Sequence, residues 1–150
     1  MSRSRKSLLR NARQALGDAA KAETEYGYDA LVAPNPEQWL ALDEQERLGL
    51  ALDYHRRIRA PLSRAQKELH ATIHAVVENQ IAAGEPPITS QTIARLMDQG
   101  LDRHETVHAV GSVLADQIFN AMQSGTEYGE AWYEAELSRL TPETWRRDFG

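Results

Sequence analysis

Two histidine pairs are the residues of this sequence best suited to chemistry. Residues 70–77 read HATIHAVV and residues 104–111 read HETVHAVG, so a similar motif recurs after 34 positions. Each copy spaces its histidines at i and i+4, which places both imidazoles on one face of a helix. Imidazole is the side chain that proteins use most often to bind transition metals. The repeat therefore predicts a metal site formed by His70, His74, His104 and His108.

A carboxylate extends the first pair. Glu78 follows His74 by one helical turn and is a further candidate ligand. Five ligands exceed the four of a closed zinc site, so they suit a mononuclear centre with an open position or a dinuclear centre. Zinc or iron is the metal expected for this donor set. Hydrolysis by a metal-activated water is the simplest reaction that such a centre would catalyse.

The second pair contains a peptidase-like string. His104-Glu105-x-x-His108 matches the HExxH motif of zinc peptidases, in which the glutamate is the general base, so Glu105 is the candidate catalytic residue. Asp102 with Glu105 is also a capping-box pattern, which turns the glutamate back towards the start of its helix. A zinc metallopeptidase is therefore the third of the functions considered, after a metal-binding protein and an interaction module. A non-catalytic helical interaction module, in which the histidines pack or sense pH, is the stronger alternative to a metal protein.

The remaining histidine and the apolar residues indicate what faces the core. His55 precedes two arginines near a predicted helix end, so we expect it at a surface or cap position and leave it out of the ligand set. The apolar residues beside the two pairs form one stripe on each helix. These residues are Leu69, Ile73, Val76 and Val77 in the first copy, and Val107, Val110, Leu114 and Ile118 in the second.

The elements that must position the histidines are helices. No segment alternates apolar and polar residues as a strand does, and capping signals recur along the chain. We predict an all-α fold, a compact bundle of about five helices with a basic N-terminal arm. Residues 1–34 form the basic segment and a loop, and residues 35–150 form the helical domain. The predicted helix starts are Asn35, Asp43, Ser63, Ser90 and Asp102, and the predicted stops are Gly84, Gly100 and Gly125.

Composition limits the partners and the compartment. The chain has 150 residues, a net charge of −5 and no cysteine, which excludes disulfides and thiolate metal sites and fits the cytoplasm. No apolar run reaches the roughly 20 residues of a membrane span, and no secretory signal begins the chain. Residues 1–21 carry six basic side chains and one acidic side chain. An acidic partner is the expectation for this arm, and nucleic acid is not, because no aromatic or glycine-rich reading surface accompanies it.

Two segments carry a family resemblance. Leu69–Gln80 (LHATIHAVVENQ) and His104–His108 (HETVH) resemble an uncharacterised family of small bacterial proteins that pair an LHxxxH helix with an HExxH helix. The resemblance covers about residues 62–140. It implies that the four histidines are the functional centre, and it implies no particular reaction.

Overall fold

Helices make up all the regular structure that is described for this chain. The computed structural model describes residues 27–125 and 129–149. The helices in these ranges are α1 (Pro36–Ala41), α2 (Glu44–Arg57), α3 (Arg64–Ala83), α4 (Pro87–Asp98), α5 (Arg103–Ser124), α6 (Glu130–Arg139) and α7 (Pro142–Phe149). The all-α prediction is confirmed, and the described ranges hold seven helices where about five were expected. The predicted basic arm lies outside the described residues.

Most of these helices begin at the predicted caps. The side chains of Asn35, Asp43 and Ser63 each accept a hydrogen bond from the backbone N–H three residues later. Such bonds satisfy amide groups that the first helical turn leaves without a partner. The predicted start at Ser90 is wrong, because α4 already begins at Pro87. Proline suits that first position, since its φ angle is helical and it has no N–H to satisfy.

None of the helices in the described part of the chain is long and apolar enough to cross a membrane.

The chain divides into two compact units, Met1–Ala75 and Val76–Gly150. Aromatic rings form the core of the first unit. Tyr28 lies 5.6 Å from Trp39 and 5.5 Å from Tyr54, measured between ring centroids, and all three rings are buried. Aromatic pairs at this separation add to the stability that burial alone provides. These three rings form the buried core against which α2 and the first part of α3 place their side chains.

In the second unit, α4, α5 and α6 pack on one another. A cluster of Leu96, Leu101 and Ala109 is buried there. The guanidinium of Arg95 on α4 donates to the carbonyls of Leu137 and Leu140 at the end of α6, at 2.9 and 2.7 Å. The last carbonyls of a helix have no partner within the helix, so these bonds both cap α6 and attach it to α4.

The buried face of α3 is partly polar. Ala71, His74, Ala75 and Glu78 recur at helical spacing, and none of them is more than 4% exposed. Leu69 is 61% exposed, so its predicted place in a core-facing stripe is wrong. A polar side chain is buried at low cost only where it has polar partners. The buried face of α3 therefore includes a histidine and a glutamate, whereas Leu69 is exposed.

The predicted stripe of α5 is confirmed from Val107 to Leu114 only. Val107 and Val110 are fully buried and Leu114 is 6% exposed. Ile118 is 44% exposed, and its predicted burial is wrong. The buried face of α5 therefore lies in the half of the helix that carries His104 and His108.

Candidate metal centre

The first unit brings two histidines together in its core. His55 lies on α2 and His74 on α3, and both side chains are 1% exposed. Their ring centroids are 4.7 Å apart, with the ring planes at 85°. Each ring offers a nitrogen within 4.8 Å of a nitrogen of the other. The pair thus joins two helices, whereas the sequence predicted a pair within one helix.

A backbone carbonyl fixes the orientation of His55. Its Nδ1 lies 2.8 Å from the carbonyl oxygen of Ala51, one turn earlier in α2. A carbonyl only accepts, so Nδ1 carries the proton and Nε2 carries the lone pair. Burial lowers the pKa of His55 below its ordinary value, which favours this neutral form. Metal-bound histidines commonly donate their second ring N–H to a carbonyl in this way.

The predicted surface position of His55 is wrong, and a local signal could have revealed this. Ala51, Tyr54 and His55 are spaced at i, i+3 and i+4, and all three are buried. That spacing places His55 on the core-facing side of α2. The adjacent arginines suggested a helix end in water, but they lie on the exposed face.

A tyrosine holds the ring of His74. The hydroxyl of Tyr28 lies 3.1 Å from Nδ1 of His74, and both side chains are buried. Phenol can donate or accept, so this bond is compatible with either protonation state of Nδ1. The backbone carbonyl of Tyr28 in turn accepts from the guanidinium of Arg57. The loop before α1 therefore supports His74 through one side-chain bond and is itself attached to α2.

His70 lies beside this pair and is less buried. Its ring centroid is 6.0 Å from that of His55, compared with 4.7 Å between His55 and His74. Burial also lowers the pKa of His70, so its neutral form is favoured. The sequence paired His70 with His74 because they share a helix. In the structure, His55 offers a nitrogen within 4.8 Å of one in His74.

The second unit contains the other pair, on α5 alone. The Nε2 atoms of His104 and His108 are 3.1 Å apart, and both side chains are partly buried. In a metal site, each nitrogen lies about 2.0–2.1 Å from the metal, and the N–metal–N angle lies between the octahedral and tetrahedral values. Two such nitrogens are therefore about 2.8–3.4 Å apart. The two histidines are therefore paired as predicted, and the distance between their Nε2 atoms would allow both to bind one metal ion.

Helix capping occupies Glu105. Its carboxylate accepts from the backbone N–H of Asp102 at 2.8 Å, and the carboxylate of Asp102 accepts from the N–H of Glu105 at 2.8 Å. The predicted capping box is confirmed. It places His104 in the first turn of α5 and directs Glu105 towards the helix start.

Glu78 forms a buried ion pair. Its two carboxylate oxygens accept from the two terminal nitrogens of Arg103, each at 2.8 Å. The side chains are 1% and 7% exposed. Two-point contact between guanidinium and carboxylate is among the strongest side-chain interactions. Because Arg103 is the first residue of α5, the pair ties the start of that helix to the second half of α3.

Four histidines of the described residues qualify as metal ligands, namely His55 and His74 in the first unit and His104 and His108 in the second. No curated protein and no solved structure matches this chain. A family model described as "Domain of unknown function (DUF1841)" matches residues 2–139, which confirms the expected membership of an uncharacterised family. The chain, with its two histidine pairs, belongs to the DUF1841 family.

Proposed function

We propose that this protein binds one transition-metal ion through His55, His74, His104 and His108. The observation that carries the proposal is the pairing of the histidines. Four of the five histidines in the chain occur as two pairs, and in each pair the ring nitrogens lie within 4.8 Å of each other.

Ligand number is the reason for assigning both pairs to one ion. Two imidazoles leave a transition metal half coordinated, whereas four complete a tetrahedral site. The ligands would then come from α2, α3 and α5, with His55 taking the place that the sequence assigned to His70. Glu78 stays outside the proposed set, because both of its oxygens already bind Arg103. Four neutral nitrogen donors favour zinc over iron, which commonly takes carboxylate ligands as well.

The proposed role is metal binding without peptidase chemistry. A zinc peptidase needs a glutamate that takes a proton from the metal-bound water. Glu105 is the residue at that position in the motif, and its carboxylate is bonded to the Asp102 amide. A site closed by four imidazoles also has no open position for a water molecule. A structural or metal-carrying site is therefore the form of the proposal that the side chains support best.

The test is the metal content of matched variants. The untagged protein is reconstituted with Zn²⁺, freed of excess metal and measured by mass spectrometry of the metals. We expect one zinc per chain in the wild type, and loss of most of it in His55→Ala, His74→Ala, His104→Ala and His108→Ala. His70→Ala is the matched control and should keep its zinc, since His70 lies outside the proposed set.

Three outcomes would overturn parts of this proposal. Absence of stoichiometric zinc or iron in the wild type would refute metal binding altogether. Loss of zinc in His70→Ala but not in His55→Ala would restore the ligand set predicted from the sequence. Two zinc ions per chain, each lost with one pair only, would show that the pairs bind separately.

A further inference from the structure

A second polar site lies in the second unit and contains none of the histidines. A shallow cavity of about 400 Å³, largely open to solvent, lies among the end of α3, the α3–α4 connection, α5 and α6. Its lining consists of Gln80, Glu85, Pro86, Gln117, Glu130 and Tyr133. Cavities that hold small molecules commonly measure about 300–1,000 Å³. The cavity therefore has room for a ligand of metabolite size.

A hydrogen-bond network organises the floor of this cavity. Oε1 of Gln80 accepts from the hydroxyl of Tyr133 at 2.8 Å and from the hydroxyl of Thr89 at 2.7 Å. Tyr133 and Thr89 are 4% and 0% exposed. Because Oε1 accepts both bonds, the amide nitrogen of Gln80 forms the opposite end of the carboxamide. Burial raises the pKa of Tyr133, which keeps its hydroxyl a donor.

Two carboxylates line the cavity. Glu85 lies in the α3–α4 connection and Glu130 is the first residue of α6, and both side chains are exposed. None of the six lining residues is basic. Carboxylates at the rim of a concave site attract cations and repel anions. Phosphorylated and carboxylated metabolites are therefore poor candidates for this site.

We propose that the cavity binds a small hydroxylated amine, a molecule that carries an ammonium group and several hydroxyls. The ammonium group pairs with Glu85 and Glu130. A hydroxyl oxygen of the ligand accepts from the amide nitrogen of Gln80, whose orientation the bonds from Tyr133 and Thr89 hold in place. Amino sugars and amino alcohols have this combination of groups. The site shares no residue with the proposed metal centre, so its test does not depend on metal binding.

The test uses two sugars that differ in one group. Glucosamine carries an ammonium at neutral pH where glucose carries a hydroxyl, and the two are otherwise alike. Isothermal titration calorimetry at low ionic strength should give saturable binding of glucosamine and at least tenfold weaker binding of glucose. Glu85→Gln combined with Glu130→Gln should weaken the binding of glucosamine about tenfold, as expected for two exposed ion pairs.

A neighbouring carboxylate supplies the control. Glu134 lies on α6 like Glu130, is exposed and does not line the cavity. Glu134→Gln removes the same charge from the same helix and should leave the binding of glucosamine unchanged. Equal binding of glucose and glucosamine, an equal loss of affinity in Glu134→Gln, or absence of saturable glucosamine binding would each overturn the proposal.

Discussion

The two histidine pairs are built in different ways. His55 and His74 come from two helices, are 1% exposed and are each bonded at Nδ1, to a backbone carbonyl and to a tyrosine hydroxyl. His104 and His108 come from consecutive turns of one helix and are partly buried. Core packing positions the first pair, whereas helical spacing positions the second. Mutations should therefore affect protein stability most at the first pair and local helix geometry most at the second.

The largest effect should come from the anchor of the helix that carries the second pair. Arg103→Met leaves the carboxylate of Glu78 buried without its cation, which typically costs about 3–5 kcal/mol of unfolding free energy. Urea denaturation followed by circular dichroism measures this loss. Replacing both residues, with Glu78→Leu added to Arg103→Met, should recover most of it, because no unpaired charge is then buried. A loss below about 1 kcal/mol in Arg103→Met would mean that the buried pair does not hold the start of α5.

The next effect separates the two pairs directly. In the metal-free protein, with a chelator present, His55→Ala should lower the free energy of unfolding by about 2 kcal/mol or more, since it empties a buried position and removes a hydrogen bond. His108→Ala removes a partly buried ring and should cost less than about 1 kcal/mol. Urea denaturation of both variants provides the comparison. Equal losses would show that core packing does not distinguish the pairs.

This contrast also explains what the sequence could reveal. The His104–His108 pair and the Asp102–Glu105 box depend on residues within one or two helical turns, so their spacing predicted them. The pairing of His55 with His74 joins residues that are far apart in the chain, and no local pattern encodes it. Helix starts were predictable for the same reason. A capping side chain bonds to a backbone amide only two or three residues away, so the local sequence contains the whole signal.

The buried face of α3 shows a second limit of sequence patterns. Hydrophobic periodicity assigned Leu69 to the core, yet Leu69 is 61% exposed and Glu78 is 1% exposed. Hydrophobic periodicity depends only on the apolar side chains of the helix itself. It does not predict an ion pair with an arginine that is distant in the sequence. Arg103 binds both oxygens of Glu78, which offsets the free-energy cost of burying the carboxylate.

A third prediction concerns the bond that orients the first pair. Tyr28→Phe keeps the aromatic packing but removes the hydroxyl that contacts Nδ1 of His74. Loss of such an outer partner typically weakens metal binding about 10- to 100-fold, and we expect the lower end of this range because His74 is also held by burial. Competition with a zinc chelator of known affinity measures the change. Tyr54→Phe is the matched control, because it removes a hydroxyl from a ring of the same cluster. An unchanged affinity in Tyr28→Phe would mean that packing alone orients His74.

A smaller effect on zinc affinity should come from the cap that begins α5. Asp102→Ala removes one of the two capping bonds and should lower the free energy of unfolding by about 1 kcal/mol. His104 lies in the turn that this cap stabilises, so zinc affinity should fall only a few-fold while the 3.1 Å spacing can still form.

Asp43→Ala is the matched control, since Asp43 caps α2 through the same type of box. Asp43→Ala should lower the free energy of unfolding by a similar amount. Because Asp43 begins α2 three turns before His55, its effect on zinc affinity should be smaller than that of Asp102→Ala. A larger loss of affinity in the Asp43 variant would show that the first pair, despite its burial, is the more easily disturbed.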